Sequence, residues 1–286
     1  MVHHRDNVNI LITGAEGLLG RAFVRHAPTS WNLWPQSHSD LDITEPDQLD
    51  RMMKEYRPDA IINCAAYTDV DGAETNKSQA HSINSNGAKH LAQVTHKYDV
   101  ALVHISTDFV FDGRTDRPYT EDNHPNPLSV YGHTKRQGEE EIEQHNPNHL
   151  IVRTAWLYGD DGNTFPQKLM GWAKQSEVRV AEDQTGSPTY APHLVAGISA
   201  CMEHGAKGLV HLAGSGQTTR SQWAQALFDS LDMDIIVQPV PSSTFKTAAT
   251  RPLFSALSSV HPCGIQLPDW KVGVSAFTDH LARSRR

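Results

Sequence analysis

A glycine-spaced turn near the amino terminus constrains the fold of this chain more than any other stretch. A short apolar run at residues 9–13 leads directly into Gly14, Gly17 and Gly20 and then into a helical pattern. In a strand-turn-helix unit, this spacing permits a tight turn, close approach of the backbone to a pyrophosphate, and close packing of the helix. The free N–H groups at the start of the helix favour an anion. The turn therefore predicts a nucleotide site, although a glycine triplet alone is a weak signal.

Four more buried strands are predicted, with room for helices between them. They cover residues 32–35, 59–66, 100–105 and 149–154, and a long helix is predicted at residues 77–96. Strands that alternate with helices at this spacing form parallel sheets covered on both faces. The chain is therefore predicted to be an α/β protein with a Rossmann-type doubly wound parallel sheet.

The second half of the chain is less regular than the first. Residues 1–155 are predicted to form a dinucleotide-binding domain. Residues 156–286 are predicted to form mainly a smaller C-terminal α/β lobe that binds substrate, with segments near 189–212 returning to the sheet.

Composition excludes several classes of function. The formal charge is −8 and no basic block is present, which argues against a nucleic-acid surface. No apolar run approaches the roughly 18 residues of a membrane span, and no apolar signal segment follows the start, so a cytoplasmic protein is expected. The three cysteines and 17 histidines are scattered without metal-ligand spacing, so reduced thiols and no metal site are predicted.

A phenol and an ammonium stand four residues apart in the stretch 127–135. If this stretch is helical, Tyr131 and Lys135 share one face. A lysine cation stabilises the phenolate and eases proton donation, which general acid catalysis on a carbonyl requires. Thr107 or Ser106, at the end of the fourth strand, can donate a hydrogen bond to the same carbonyl oxygen, or simply cap its own turn. The glutamates that follow, at residues 139–143, are predicted to be a solvated face.

The end of the second strand leaves the choice of dinucleotide open. An acidic residue there would hold the ribose of NAD, and a cation would admit the extra phosphate of NADP, but the nearest candidates are Ser37 and His38. Asp40 and Asp42 follow. Either aspartate can instead be a turn or cap residue, because a helix-opening pattern begins at Thr44.

Taken together, these motifs resemble the extended short-chain dehydrogenase/reductases and, within them, the dTDP-4-dehydrorhamnose reductase family. The resemblance covers nearly the whole chain and rests on linked motifs in family order. They stand at residues 14–20, 41–44, 63–74, 106–113, 127–135, 153–158 and 183–189. Two departures are His38, where the family often has a basic residue, and Phe109, where a tyrosine is common.

The resemblance implies a role for each matching residue. Tyr131 would be the proton donor, Lys135 its electrostatic partner and a ribose ligand, and Thr107 the donor to the carbonyl. The implied cofactor residues are Gly14, Gly17, Leu18, Leu19, Asp42, Ile43, Ala65, Ala66, Tyr67, Tyr131 and Lys135. The implied substrate residues are Thr68, Val70, Thr107, Asp108, Trp156 and Arg251. Core packing is the alternative for Trp156, and a surface carboxylate partner is the alternative for Arg251.

The function implied by the resemblance is reduction, by NADPH or NADH, of the C4 ketone of dTDP-6-deoxy-L-lyxo-4-hexulose to dTDP-L-rhamnose. The expected partner is the dTDP-keto-sugar, and a homodimer is compatible with the family. One alternative is another nucleotide-sugar ketoreductase, epimerase or dehydratase of the same superfamily. A second is a non-catalytic subunit that resembles the regulatory subunit of methionine adenosyltransferase.

Overall fold

The computed structural model describes residues 8–174 and 176–284. Its strands are β1 (Val8–Thr13), β2 (Trp31–Gln36), β3 (Ala60–Asn63), β4 (Ala101–Thr107), β5 (His149–Thr154), β6 (Leu157–Tyr158), β7 (Glu177–Ala181), β8 (Thr185–Gly186), β9 (Thr189–Tyr190), β10 (Gly208–His211), β11 (Thr218–Thr219) and β12 (Ile236–Val240). Its helices are α1 (Leu18–His26), α2 (Pro46–Tyr56), α3 (Val70–Ala73), α4 (Lys77–His81), α5 (Ala88–Lys97), α6 (Val130–His145), α7 (Phe165–Trp172), α8 (Ala191–Glu203), α9 (Arg220–Ser230) and α10 (Trp270–Ser284).

Six strands form a central sheet in the order β10-β5-β4-β3-β1-β2, and every neighbouring pair is parallel. The prediction of a doubly wound parallel sheet is confirmed. The chain runs from β1 to one side of the sheet and then from β3 to the other. A crevice therefore opens outside the carboxyl ends of β1 and β3, where sheets of this kind bind ligands.

Alternation along β1 explains how both faces of the sheet are covered. Ile10 and Ile12 belong to one apolar cluster with residues of α1 and α8, and Leu11 belongs to a second cluster with residues of α2, α5 and α6. All three side chains are fully buried. Side chains of a strand point alternately to opposite faces, so a strand buried on both faces is apolar at every position.

A third apolar cluster lies in the second half of the chain. It is rich in aromatic side chains from α7, α9 and α10, and the parallel pair of β7 and β12 packs against it. Strand β10 pairs with β5 and so belongs to the central sheet. The division into a dinucleotide domain and a substrate lobe near residue 155 stays a prediction.

Most strand ends differ from the sequence prediction by one or two residues, and three elements differ in other ways. Strand β3 ends at Asn63, whose side-chain Oδ1 accepts a hydrogen bond from the backbone N–H of Ala65. The helix predicted at 77–96 contains a π-helical segment, Ser82–Gly87, between α4 and α5. Helix α2 begins at Pro46, with Glu45 at the N-cap position and no capping side chain.

Two further observations concern the chain as a whole. Within residues 8–174 and 176–284, no helix combines the length and apolar character needed to cross a membrane. The three cysteines are free thiols, although the sulfur atoms of Cys201 and Cys263 lie 3.9 Å apart.

Candidate active site

A cavity of about 700 Å³ lies outside the carboxyl ends of β1, β3, β4 and β5. Every residue predicted to bind cofactor or substrate, or to act in catalysis, lines this cavity except Tyr67 and Arg251. A second cavity of similar volume lies at the amino ends of the strands, and none of the predicted site residues lines it. The catalytic and glycine-turn residues, and all substrate residues named from the sequence except Arg251, are thus brought to one place by the switch in strand order.

The glycine turn fits a dinucleotide. Gly14 has a φ of +64°, and a Cβ at this position would lie 2.7 Å from the backbone nitrogen of Ala65, so only glycine suits the turn. Helix α1 follows, with Gly17 at its N-cap and no capping side chain. The first N–H groups of the helix therefore keep their hydrogen-bonding capacity for an anion.

Helix α6 holds the predicted proton donor and its lysine partner. Its N-cap, Ser129, accepts a hydrogen bond of 3.1 Å from the backbone N–H of Gly132. Tyr131 and Lys135 are a turn apart on the helix, and both line the cavity. The ammonium of Lys135 donates to the carbonyl oxygen of Ile105 at 2.7 Å.

The pKa of Tyr131 is raised, whereas the sequence suggested that a neighbouring lysine would lower it. Burial raises the pKa of Tyr131 to about 12; a hydrogen bond with Thr107 acts in the opposite sense, and the charge of Asp108 adds to the increase. Burial also lowers the pKa of Lys135 to about 8, and the charges of Glu139 and Cys64 only partly offset this effect. Burial therefore outweighs the stabilisation of phenolate that a neighbouring cation would give.

Two buried side chains next to Lys135, Asn63 and His104, determine which atoms donate hydrogen bonds beside the lysine nitrogen. The backbone N–H of Ala65 donates to Oδ1 of Asn63 at 3.1 Å, which fixes the amide so that its nitrogen faces Nδ1 of His104 at 2.9 Å. Since that amide nitrogen is a donor, Nδ1 must accept, and the neutral imidazole carries its proton on Nε2. Nε2 lies 3.1 Å from the Lys135 nitrogen, so the ring favours the uncharged amine. This contact acts in the same direction as burial.

The predicted substrate end of the cavity contains polar atoms without a partner. Asp108 is 2% exposed, and its Oδ2 atom accepts no hydrogen bond from any described residue. Burial raises the pKa of Asp108 to about 6. The hydroxyl of Thr154 is also buried and without a partner in the described chain. Buried polar atoms are almost always paired, so both atoms indicate a site for a polar ligand.

Trp156 is held at this end by its backbone and its neighbours. Its φ of +45° is unusual for a bulky residue, and backbone strain of this kind is common at binding sites. A Cβ at Gly186 would overlap the indole, so the ring packs directly against that backbone. The guanidinium of Arg220 lies 3.5 Å from the indole ring centroid. No sequence motif points to Arg220, a single arginine at the start of a helix.

Two predicted residues lie elsewhere. The side chain of Asn84 makes two hydrogen bonds with the backbone of Tyr67. It accepts from the N–H at 2.8 Å and donates to the carbonyl oxygen at 3.1 Å. The hydroxyl of Tyr67 accepts from Asn76 instead of lining the cavity. Arg251 forms a bidentate ion pair with Asp71, at 2.6 and 3.1 Å, which is the carboxylate alternative that the sequence left open.

Asp42 lies where it could contact a cofactor and also forms the turn that the sequence offered as the alternative. It lines the cavity, and its Oδ1 accepts hydrogen bonds from the N–H and the hydroxyl of Thr44, as in an Asx turn. His38 also lines the cavity, whereas the carboxylate of Asp40 binds Ser37.

The prediction that the glutamates of α6 form a solvated face is wrong for Glu139. This side chain is fully buried and accepts hydrogen bonds from Arg153 at 2.8 and 2.7 Å. Ser106 donates to the same carboxylate at 2.5 Å, which leaves Thr107 as the strand-end hydroxyl beside Tyr131. Glu139 is one turn beyond Lys135 and therefore continues the inward stripe of the helix.

A family model described as the RmlD substrate binding domain matches residues 8–283. The chain belongs to the dTDP-4-dehydrorhamnose reductase family.

Two curated relatives are 38% identical to the chain. One is a probable dTDP-4,6-dihydroxy-2-methyloxan-3-one 4-ketoreductase of Streptomyces antibioticus, aligned over 95% of each chain. The other is a dTDP-4-dehydrorhamnose reductase of Mycobacterium tuberculosis, aligned over 87% of this chain and 84% of that protein. A crystal structure of the Bacillus anthracis dTDP-4-dehydrorhamnose reductase in complex with NADP is 34% identical, with a TM-score of 0.92 over 96% of this chain and 99% of that chain.

Proposed function

We propose that this chain reduces the C4 ketone of dTDP-6-deoxy-L-lyxo-4-hexulose, or of a close dTDP-keto-sugar, with NADPH or NADH. The reaction would give dTDP-L-rhamnose or a related dTDP-deoxysugar. The observation that carries the proposal is the presence of Thr107, Tyr131 and Lys135 on the same cavity as the glycine turn. The named relatives support the substrate class, since each is a reductase of a dTDP-sugar.

Residues of the glycine turn and the adjoining strands would hold the dinucleotide. The N–H groups of α1 would bind its pyrophosphate, and Asp42 and Ile43 would contact its adenine side. Ala65 and Ala66 would pack against the rest of the cofactor. When bound, the reduced nicotinamide supplies the hydride for the ketone. The NADP complex of the Bacillus anthracis relative supports this use of the cavity.

Thr107 and Tyr131 act on the carbonyl oxygen of the substrate. Both side chains line the cavity, and the Thr107 hydroxyl, which donates to Oδ1 of Asp108 at 3.1 Å, would turn to the ketone when substrate binds. As negative charge grows on this oxygen, both donors stabilise it, and the phenol transfers its proton to the forming alkoxide. A pKa of about 12 keeps Tyr131 protonated and ready to donate at neutral pH.

Lys135 stabilises the phenolate that proton donation leaves behind. The lysine is protonated below a pH of about 8, where its positive charge one turn from Tyr131 favours loss of the phenolic proton. The carbonyl oxygen of Ile105 accepts a hydrogen bond from the lysine nitrogen at 2.7 Å and holds it in place.

The direct test is Tyr131→Phe. Titration with NADPH should show unchanged cofactor affinity, while cofactor oxidation with the dTDP-keto-sugar falls by about 10²- to 10⁴-fold, the usual contribution of a general acid. Tyr158→Phe is a matched control, because the hydroxyl of Tyr158 is buried, has no partner among the described residues and lies off the cavity. Undiminished turnover by Tyr131→Phe would refute the proposed mechanism.

A substrate panel separates this proposal from its rivals. dTDP- and UDP-keto-sugars are assayed with NADPH and with NADH, and consumption of the cofactor is followed by absorbance. A reductase consumes one cofactor for each ketone reduced. Turnover without net consumption, in a protein purified with firmly bound dinucleotide, would instead indicate an epimerase.

A further inference from the structure

Arg220 places a positive charge at the substrate end of the cavity. The residue begins α9, and its guanidinium carbon lies 3.5 Å from the ring centroid of Trp156. Phe165 and Trp223 stand 5.0 and 5.6 Å from the same carbon. Three aromatic rings thus surround the cation, and planar guanidinium groups stack well on such rings.

This guanidinium has no hydrogen-bond acceptor in the described part of the chain. The charge of Asp108 attracts it, but the two side chains form no ion pair. Burial lowers the pKa of Arg220 to about 9, so the group is still charged at neutral pH. A partly buried cation with five N–H donors and no acceptor is costly, and an anionic ligand would satisfy it.

The other arginine predicted at this end is already paired. Arg251 donates to both carboxylate oxygens of Asp71 and also to the carbonyl oxygen of Ala249 at 3.1 Å. Arg251 does not line the cavity, whereas Arg220 does. Of the two, only Arg220 both lines the cavity and lacks an acceptor among the described residues.

We infer that Arg220 binds the β-phosphate of the dTDP-sugar and so determines specificity for a nucleoside diphosphate sugar. The inference rests on the proposed function and adds a residue that the family resemblance did not supply. The β-phosphate is bonded to the sugar, and Arg220 stacks on Trp156 at the predicted substrate end of the cavity, where the charge of Asp108 also attracts it. The fork of N–H groups matches two phosphate oxygens, and stacking on Trp156 holds that fork in one orientation.

The test compares the affinities of dTDP and dTMP for the NADPH-loaded protein by calorimetry. Because dTMP lacks the β-phosphate, Arg220→Gln should weaken dTDP binding about 10- to 100-fold and leave dTMP binding nearly unchanged. For the keto-sugar, KM should rise more than kcat falls. Arg220→Lys, which keeps the charge but loses the fork, should give an intermediate loss. Arg179→Gln, which removes an exposed arginine of β7, is the control and should bind dTDP like the wild type.

Two outcomes overturn the inference. One is unchanged dTDP affinity in Arg220→Gln, including the case in which only the KM for the keto-sugar rises, because the arginine would then contact the sugar. The other is an equal loss for dTDP and dTMP, because the arginine would then make no contact specific to the β-phosphate. A wild type that binds dTDP through Arg220 but reduces no keto-sugar would contradict the proposed function and leave this assignment standing.

Discussion

Arg153→Met should destabilise the protein strongly, although Arg153 is outside the catalytic set. In the wild type, Arg153 and Glu139 are 1% and 0% exposed and share two hydrogen bonds of 2.8 and 2.7 Å. The substitution keeps a long apolar side chain but leaves the Glu139 carboxylate buried without its main partner. Removing one member of a buried ion pair costs about 3–5 kcal/mol, because the remaining charge is no longer compensated.

The structure places the expected cost at the lower end of this range. Arg136 also donates to Glu139, at 2.9 Å, and Ser106 donates to the other carboxylate oxygen at 2.5 Å. These two donors stay when Arg153 is replaced. We therefore expect a loss of about 3 kcal/mol in the free energy of unfolding, measured by urea denaturation at pH 7.

A double variant isolates the buried charge as the cause. In Glu139→Gln combined with Arg153→Met, no carboxylate is left unpaired, so the double variant should be more stable than Arg153→Met alone. Lys54→Met is a surface control. It breaks an exposed ion pair with Asp50, and its stability should match the wild type within error.

The dependence on pH provides a second criterion. Burial raises the pKa of Glu139, but Arg153, Ser106 and Arg136 together outweigh burial, so the net pKa lies below the ordinary value of 4.5. The ion pair therefore stabilises the protein above pH 4.5, and this contribution is lost as the pH falls through the lowered pKa. Accordingly, the stability gap between wild type and Arg153→Met should narrow from pH 7 to pH 4. A cost below about 1 kcal/mol at pH 7, or a gap that widens in acid, would refute the reasoning.

Two further predictions concern the cavity. Gly14→Ala should weaken NADPH binding at least tenfold in a fluorescence titration, because the new Cβ meets backbone at a positive φ, a strain of about 1–3 kcal/mol. Gly162 has a φ of +85° and nothing within 4 Å of an added Cβ, so Gly162→Ala is the control and should leave NADPH binding unchanged. Equal losses of affinity in the two variants would show that the positive φ alone, and not the contact with Ala65, causes the loss. The kcat/KM for the keto-sugar should fall as the pH rises through about 8, because Lys135 loses its proton there. Asn63→Asp should move this decline to higher pH. The new carboxylate would accept a hydrogen bond from Nδ1–H of His104, so that Nε2 would carry no proton and would accept a hydrogen bond from the lysine. A pH profile of kcat/KM that is flat from pH 7 to 9 would exclude the lysine as its source.

The parts of the fold that sequence could predict are those with local causes. Strands such as β1 and β5 are short apolar runs next to turns, and the glycine turn fixes its own geometry. The predicted catalytic residues line one cavity because parallel strands end at the same edge of the sheet. The catalytic roles themselves stay predictions until activity is measured.

The residues that sequence could not place depend on distant partners. In the sequence, Glu139 is one more charge in an acidic run. Its burial depends on Arg153 of β5, which forms an ion pair with it. Tyr67 follows the third strand, as a cofactor residue would, but Asn84, 17 positions further on, holds its backbone in another direction. Arg220 has no local pattern at all, and its position becomes informative only because Trp156 lies beneath it.

One helix links the chemistry of this site to its stability. Tyr131, Lys135 and Glu139 lie on successive turns of α6, so the stripe that faces the cavity continues directly into the buried ion pair. The negative charge of Glu139 also raises the pKa of Lys135 against the effect of burial. Glu139→Gln should therefore move the alkaline decline of kcat/KM to lower pH, opposite to the effect of Asn63→Asp. If both substitutions moved it in the same direction, loss of packing around α6, and not charge on the lysine, would control the profile.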